Sequence, residues 1–183
     1  MLINHDRKKL IAAIVYFAKN TNNCGKTKLF KLLYFLDFEH FKQTGRSVTG
    51  LNYYAWKLGP VPTSLYDEFE TPEPDLLEHI KFEPMTYGGY DLINIKPLSE
   101  PDMNYFSKRA ASLIKELAEQ YKNVSATNIV EKTHLPNQPW HKVYAEENKP
   151  QHLIPYQYAI DIIKDEHILE LAKESKQMKD AYL

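Results

Sequence analysis

Disulfides, membrane spans, metal-ligand clusters and a charge of one sign are all missing from this chain of 183 residues. The single Cys24 excludes an internal disulfide and is compatible with a reducing cytoplasm. No stretch approaches the ~20 apolar residues of a membrane-spanning helix. The N-terminal MLINHDRKKLIAAIVYFA holds an apolar stretch of only about eight residues and lacks the small-residue cleavage site of a signal peptide. A cytoplasmic, membrane-free protein is expected. The seven histidines are scattered, and neither a Cys pair nor His-x3-His occurs, so no metal site is expected. His134 and His141 flank a proline-rich loop and could approach each other, but neither has a ligand partner in the local sequence. Gly25-Lys26-Thr27 has the end of a phosphate loop without its beginning. Position 20, where the first glycine is needed for the backbone to wrap a phosphate, is Asn20. No cofactor and no catalytic set follow from these residues, and an enzyme is not expected.

The formal charge of −1, from 23 Lys and Arg against 24 Asp and Glu, leaves no global footprint for nucleic acid. Basic residues gather from Arg7 to Lys31 and acidic ones from Asp67 to Glu78; both are expected to be solvated faces. Among what is abundant, tyrosine stands out, with 13 copies. Tyrosine offers wide contact area at little rotamer entropy, in cores and recognition surfaces alike. The length suffices to bury roughly 70% of the unfolded surface without a staple.

The periodicity predicts a helix over 6–19, with Leu10, Ile11, Ile14, Val15 and Ala18 on one face and Asn4 or Asp6 as cap. KTKLFKLLYFLDFEHF carries two apolar stripes, Leu29/Leu32/Leu33/Leu36 and Phe30/Tyr34/Phe38/Phe41, which marks a central helix ending near Gly45. In it, Lys28, Lys31 and Asp37 are among the few polar positions. Tyr53–Trp56 reads as a short strand or turn, and WKLGPVP cannot be helix or central strand. Thr63 is expected to cap a short helix that sets Leu65, Tyr66 and Phe69 on one side.

HIKFEP and GYDLINIKP read as a hairpin that needs helices or a third strand beside it. Residues 99–121 read as a long helix, with Ser99 and Asp102 as a capping box. Ser125 or Thr127 caps another, a proline-broken loop runs to Trp140, and the C-terminal part turns Ile160, Ile163, Ile168 and Leu171 inward. The expected fold is an α+β, predominantly helical single domain with a small β-hairpin, its core at about 6–165 and a polar, fraying helical tail at 166–183.

Three ordered stretches resemble one family: Lys28-Leu29-Phe30-Lys31-Leu32-Leu33-Tyr34-Phe35-Leu36-Asp37; Tyr54-Ala55-Trp56-Lys57-Leu58-Gly59-Pro60-Val61-Pro62 with Leu65-Tyr66; and Thr133-His134 with Trp140, then Ile154-Pro155. The chain looks like a Panacea domain, the SocA-like antitoxin family also described as phage-associated and GepA-type. Phe30 departs from it, since many members carry a polar residue there, which points to a local packing difference. The resemblance implies a mostly helical antitoxin that neutralises a cognate toxin by direct binding. Toxins paired with the family include small alarmone-synthetase-like enzymes that modify tRNA or make nucleotide alarmones. It implies a toxin encoded nearby as partner, in a homo- or hetero-oligomer, and no cofactor. A DNA-binding regulator or a protease adaptor is the alternative. The motif residues Leu29, Leu32, Leu33, Tyr34, Trp56, Gly59, Pro60, Val61 and Trp140 are expected to be structural. Tyr53, Lys57, Tyr66, Tyr87 and Tyr90 are expected at the partner surface.

Overall fold

A computed structural model describes residues 5–161 and 163–181. Helix α1 (His5–Asn20) and helix α2 (Lys26–Thr44) come first. A tight hairpin, β1 (Tyr54–Trp56) and β2 (Gly59–Val61), follows. The short helices α3 (Thr63–Glu68) and α4 (Pro74–Leu77) lead into a longer hairpin, β3 (Ile80–Tyr87) and β4 (Tyr90–Pro97). Helices α5 (Lys108–Gln120), α6 (Ala126–Thr133), α7 (Pro139–His141, continued by a π-helical turn, Lys142–Glu146) and α8 (Glu166–Ala181) complete the chain. The fold is mainly helical α+β, as the periodicity predicts.

α2 is the axis. Residues 28–38 are buried without interruption, because α1, α5, α6, β2 and α8 all pack around it. Tyr34, Phe38, Tyr53 and Tyr156 form one aromatic cluster, with ring centroids 4.4 Å apart for Tyr34–Phe38 and for Phe38–Tyr156. Phe35 stacks on Tyr121 at the end of α5 (5.4 Å). Phe30, the departure from the family pattern, packs against Tyr66 and Phe69.

The WKLGPVP stretch is a strand, but of a kind that accepts proline. β1 pairs antiparallel with β2 in the register Tyr54↔Val61, Ala55↔Pro60, Trp56↔Gly59, so Lys57-Leu58 is a two-residue turn. Ala55 spends its N–H on the His152 carbonyl (2.9 Å) and its carbonyl on the Gln151 N–H (2.7 Å), both on the far side of β1. Ala55↔Pro60 is therefore a non-hydrogen-bonded pair, and the N–H that proline lacks is not needed.

In the second hairpin, Ile80 and Ile95 are buried at the base, while Leu92 and Ile93 are 47% and 55% exposed farther out. The third partner that the hairpin requires is the α1–α2 loop, where the Cys24 carbonyl accepts from Ile95 N–H (2.9 Å).

Several expectations are corrected. α5 starts at Lys108, nine residues later than expected, because the Ser107 hydroxyl caps it by accepting from Ala110 N–H (3.2 Å). Asp102 caps only a 3-10 turn (Met103–Tyr105), and Ser99 instead bonds His79 Nδ1 (2.7 Å). Thr63 lies inside α3 and makes no cap, and Asp6 lies within the first turn of α1; Asn4 lies outside the described residues. The run to Trp140 turns helical at Pro139. Ile160 and Ile168 are buried, but Ile163 is 89% and Leu171 42% exposed, because only Ile168 meets Phe41 and Ile160.

The two charge runs are not independent solvated faces either. The Arg7 guanidinium forks onto both Glu68 and Asp75, with bonds of 2.6–2.9 Å, and Lys26 pairs with Glu70 (2.9 Å). The Arg7 bonds hold the Asp75 carboxyl below the usual range.

Gly45 ends α2 in the left-handed conformation (φ +70°), its N–H bonded to the Phe41 carbonyl (2.8 Å). A Cβ there would stand 2.8 Å from both Ala172 N and Ile168 O, backbone atoms of α8. Gly45→Ala is thus expected to push α8 off α2 and to destabilise the protein by about 2–4 kcal/mol. An unshifted urea midpoint, with unchanged amide exchange in α8, would show that α8 does not lean on Gly45.

Candidate functional site

The three resemblance-bearing stretches, far apart in sequence, meet around the β1–β2 corner. α2 carries Lys28 and Lys31 one turn apart, on a face packed against neighbouring segments. Both side chains are fully buried, each 1% exposed, and both reach backbone carbonyls. The Lys31 amine donates to the Pro60 carbonyl (2.8 Å). The Lys28 amine donates to the Asn22 and Lys122 carbonyls (2.8 and 3.1 Å), tying the α1–α2 loop to the end of α5.

The corner closes around Gly59. Its φ is +93°, and a Cβ there would meet Thr133 Oγ1 at 2.7 Å and Lys31 Cε at 2.8 Å. Thr133 is itself buried, its hydroxyl donating to the Val130 carbonyl (2.7 Å). His134, next in sequence, stacks on Trp140 (3.8 Å, 12°), and Trp140 stacks on Tyr144 (4.6 Å, 14°). The Trp140 indole N–H donates to the Trp56 carbonyl (2.8 Å), so the third stretch clasps the second. Trp56 is half-buried, and the ring beside it is Tyr66 (5.0 Å) rather than Tyr34.

The electrostatics of this corner follow from burial. With one acceptor and little water, the Lys31 amine is pushed down to about 7. Burial, then the nearby Lys31 and His141, lower the proton affinity of His134. Tyr34 Oη and His134 Nε2 are buried without a hydrogen-bond partner among the described residues. The Lys31 amine points into a carbonyl rather than toward solvent, so the arrangement latches a turn rather than presenting a nucleophile.

Farther along α2, Asp37 is fully buried and pins the segment that follows the helix. Oδ1 accepts from Val48 and Thr49 N–H (2.8 Å each), and Oδ2 accepts from the Thr49 hydroxyl and from the Tyr53 hydroxyl (2.7 Å). Burial pushes the carboxyl up, and these donors oppose that shift.

Tyr53, expected at a partner surface, is therefore an interior residue: it is 0% exposed, and its hydroxyl serves Asp37. Of the other expected surface residues, Lys57 is exposed at the tip of the β1–β2 turn, beside Leu58 (65% exposed). Tyr66 is half-buried beneath the Lys26 ammonium, which lies 3.6 Å from its ring centroid. The Trp56–Tyr66 contact places Lys57 and Tyr66 on one corner. Tyr87 and Tyr90 form the last pair of β3–β4, and their side chains lie outside the described residues.

Leu29, Leu32, Leu33, Tyr34, Val61 and Trp140 are all buried. Cys24 is buried, and burial pushes its thiol up to about 11. Among the described residues no group of three or more His, Cys, Asp and Glu side chains could hold a metal ion, and no helix is long and apolar enough to cross a membrane. Sequence reasoning missed Lys31, Asp37 and Thr133 as buried polar anchors. The available signal was the position of Lys28, Lys31 and Asp37 inside a helix apolar on two sides.

The Lys31 amine titrates lower in the folded protein (about 7) than its ordinary 10.5. The unfolded chain therefore binds more protons between these values, and stability rises with pH across that window. Between pH 7 and about 9 the wild type is expected to gain up to about 1.4 kcal/mol per pH unit over Lys31→Met, which fills the same space without a charge. Parallel stability-versus-pH lines for the two proteins in urea would refute a buried, depressed Lys31. Gly59→Ala is expected to cost about 3 kcal/mol, from the positive φ and the two contacts under 3 Å.

No curated protein and no solved structure matches the chain. A family model described as "Antitoxin SocA-like, Panacea domain" matches residues 29–141. That span runs from the start of the buried face of α2, through both hairpins and α5, to the residue after Trp140. It contains Lys31, Gly59 and His134 and covers well over half of the chain, and so the chain belongs to the SocA-like antitoxin family with a Panacea domain.

Proposed function

We propose that this chain is the antitoxin of a toxin–antitoxin pair and neutralises its toxin by direct protein–protein binding. The observation that carries the reading is membership of the SocA-like antitoxin family over residues 29–141. The placement of the family-like residues supports a division of labour. Lys31, Tyr34, Gly59 and Trp140 are spent on the interior, so partner contact falls to what the frame displays. The Lys57-Leu58 turn is the best-defined displayed element, because Pro60, Gly59 and the Trp140–Trp56 bond hold its base rigid. A preformed turn loses little entropy on binding. We take the toxin to be a small alarmone-synthetase-like enzyme, as with other members of the family, and the protein to act in the cytoplasm as a non-catalytic partner.

Cells that express the reading frame next to this gene are expected to stop growing and to recover when this chain is co-expressed. Lys57→Glu combined with Leu58→Asp changes only exposed positions. The pair is expected to weaken the complex by about 2 kcal/mol, roughly thirtyfold, and to reduce rescue accordingly. A neighbour that is harmless, or growth that this chain does not restore, would sink the antitoxin reading. Full rescue by the double variant would move the interface away from the turn.

A further inference from the structure

A groove of about 710 Å³ runs between the end of α2, the segment after it, the start of α5 and α8. Lys9, Arg46, Lys108 and Arg109 line it, with His40 among them and no aspartate or glutamate. Several cations of the chain sit in ion pairs, Arg7 with Glu68 and Asp75, Lys26 with Glu70, and Lys149 with Glu147. Of the four in the groove, three do not. Among the described residues Arg109 bonds only the neutral Gln43 (3.1 Å), and Arg46 and Lys108 form no ion pair. Lys9 approaches Asp6 at 3.8 Å, but Asp6 already bonds Lys179 (2.9 Å). The cations share the lining of one groove with His40, which burial first, and then Arg109, Lys9 and Arg46, make harder to protonate. The floor has a different character: it rests on the buried Val48, Phe106 and Ala110, and Leu171, 42% exposed, is the apolar side chain displayed there.

We propose that this groove is the docking site for an acidic amphipathic segment of the partner protein, which on the antitoxin reading is the toxin. A helix or turn with carboxylates on one face and aliphatic side chains on the other meets both halves of the groove at once. Its apolar residues cover the floor, and its carboxylates replace the missing counter-charges of the rim. A nucleic-acid backbone would satisfy the cations but leave the exposed Leu171 against phosphates, and the net charge of −1 opposes a polyanion.

The test uses the full chain and a triple variant, Arg46→Glu, Lys108→Glu and Arg109→Glu. Two of these changes place acids in the first turn of α5, where the helix dipole favours them, so the fold is kept; circular dichroism checks this. Three probes are titrated at low and at physiological salt: a synthetic amphipathic peptide with glutamates on one face and leucines on the other, a short random-sequence DNA duplex, and the purified toxin. The peptide and the toxin are expected to bind the wild type in a salt-sensitive way and the variant at least about tenfold more weakly. Leu171→Ala, which leaves the charge unchanged, should weaken the peptide too, which a purely electrostatic contact would not require. Equal binding of peptide to wild type and variant overturns the groove. Displacement of the peptide by DNA overturns the choice of a protein segment. If the toxin fails to bind the wild type while the peptide still occupies the groove, the antitoxin reading falls and the acidic-segment site stands for another partner. If the toxin binds both proteins alike, that reading stands and the groove is not its site.

Discussion

A lysine amine in the interior needs an acceptor, and in this protein the acceptor is the carbonyl of Pro60. Moving a cation out of water costs several kcal/mol unless its hydrogen bonds are restored. The chain meets that demand by bringing the β1–β2 corner onto α2. Lys28 imposes the same requirement on the α1–α2 loop and the end of α5, and Asp37 imposes it on residues 48–53. Three buried ionisable side chains on one helix thus fix the position of segments that an apolar stripe would only attract. Hydrophobic burial supplies most of the driving force but has no direction; hydrogen bonds to buried charges set the register.

This division explains what could be read in advance. The apolar spacing of α1 and α2, the alternation in β3 and β4 and the cap at Ser125 are local signals, and local signals appear in sequence. The fate of Lys28 could not appear there, because its acceptor on Lys122 lies 94 residues away. A lysine or aspartate on a helix reads as solvated unless its partner is known, so Lys31 and Asp37 read that way too. Tyr53 misled for the complementary reason: tyrosine suits both a surface and a core, and only the buried Asp37 decides between them. Ser99 with Asp102 reads as a capping box from local spacing alone. The extended Phe106 (φ −102°, ψ 143°) settles the helix start at Ser107. The family resemblance was legible because its residues lie in three short, ordered stretches. The basic groove was not, because α1, α2, α5 and α8 each contribute a part of it.

The residues that make the chain a Panacea domain and those that would meet a partner are largely different sets. Lys31, Gly59, Thr133 and Trp140 are consumed in closing the corner, and a change at any of them acts first on folding. Lys57, Leu58, Arg46 and Lys108 lie outside that constraint. A frame of this kind allows a surface to change without repacking α2.

The proline in β2 has one more effect. Gly59 and Val61 turn their backbone groups toward β1, which leaves Pro60 alone to define the outer edge of that strand. Pro60 has no N–H, and its carbonyl already holds Lys31. The edge therefore offers no donor and no unengaged acceptor to an incoming strand. Buried along β2 against α2, and bonded on the far side of β1 to residues 151–154, the two-stranded ribbon is in this way sealed against strand addition, whether by a misfolded copy of itself or by an exposed edge of a stranger.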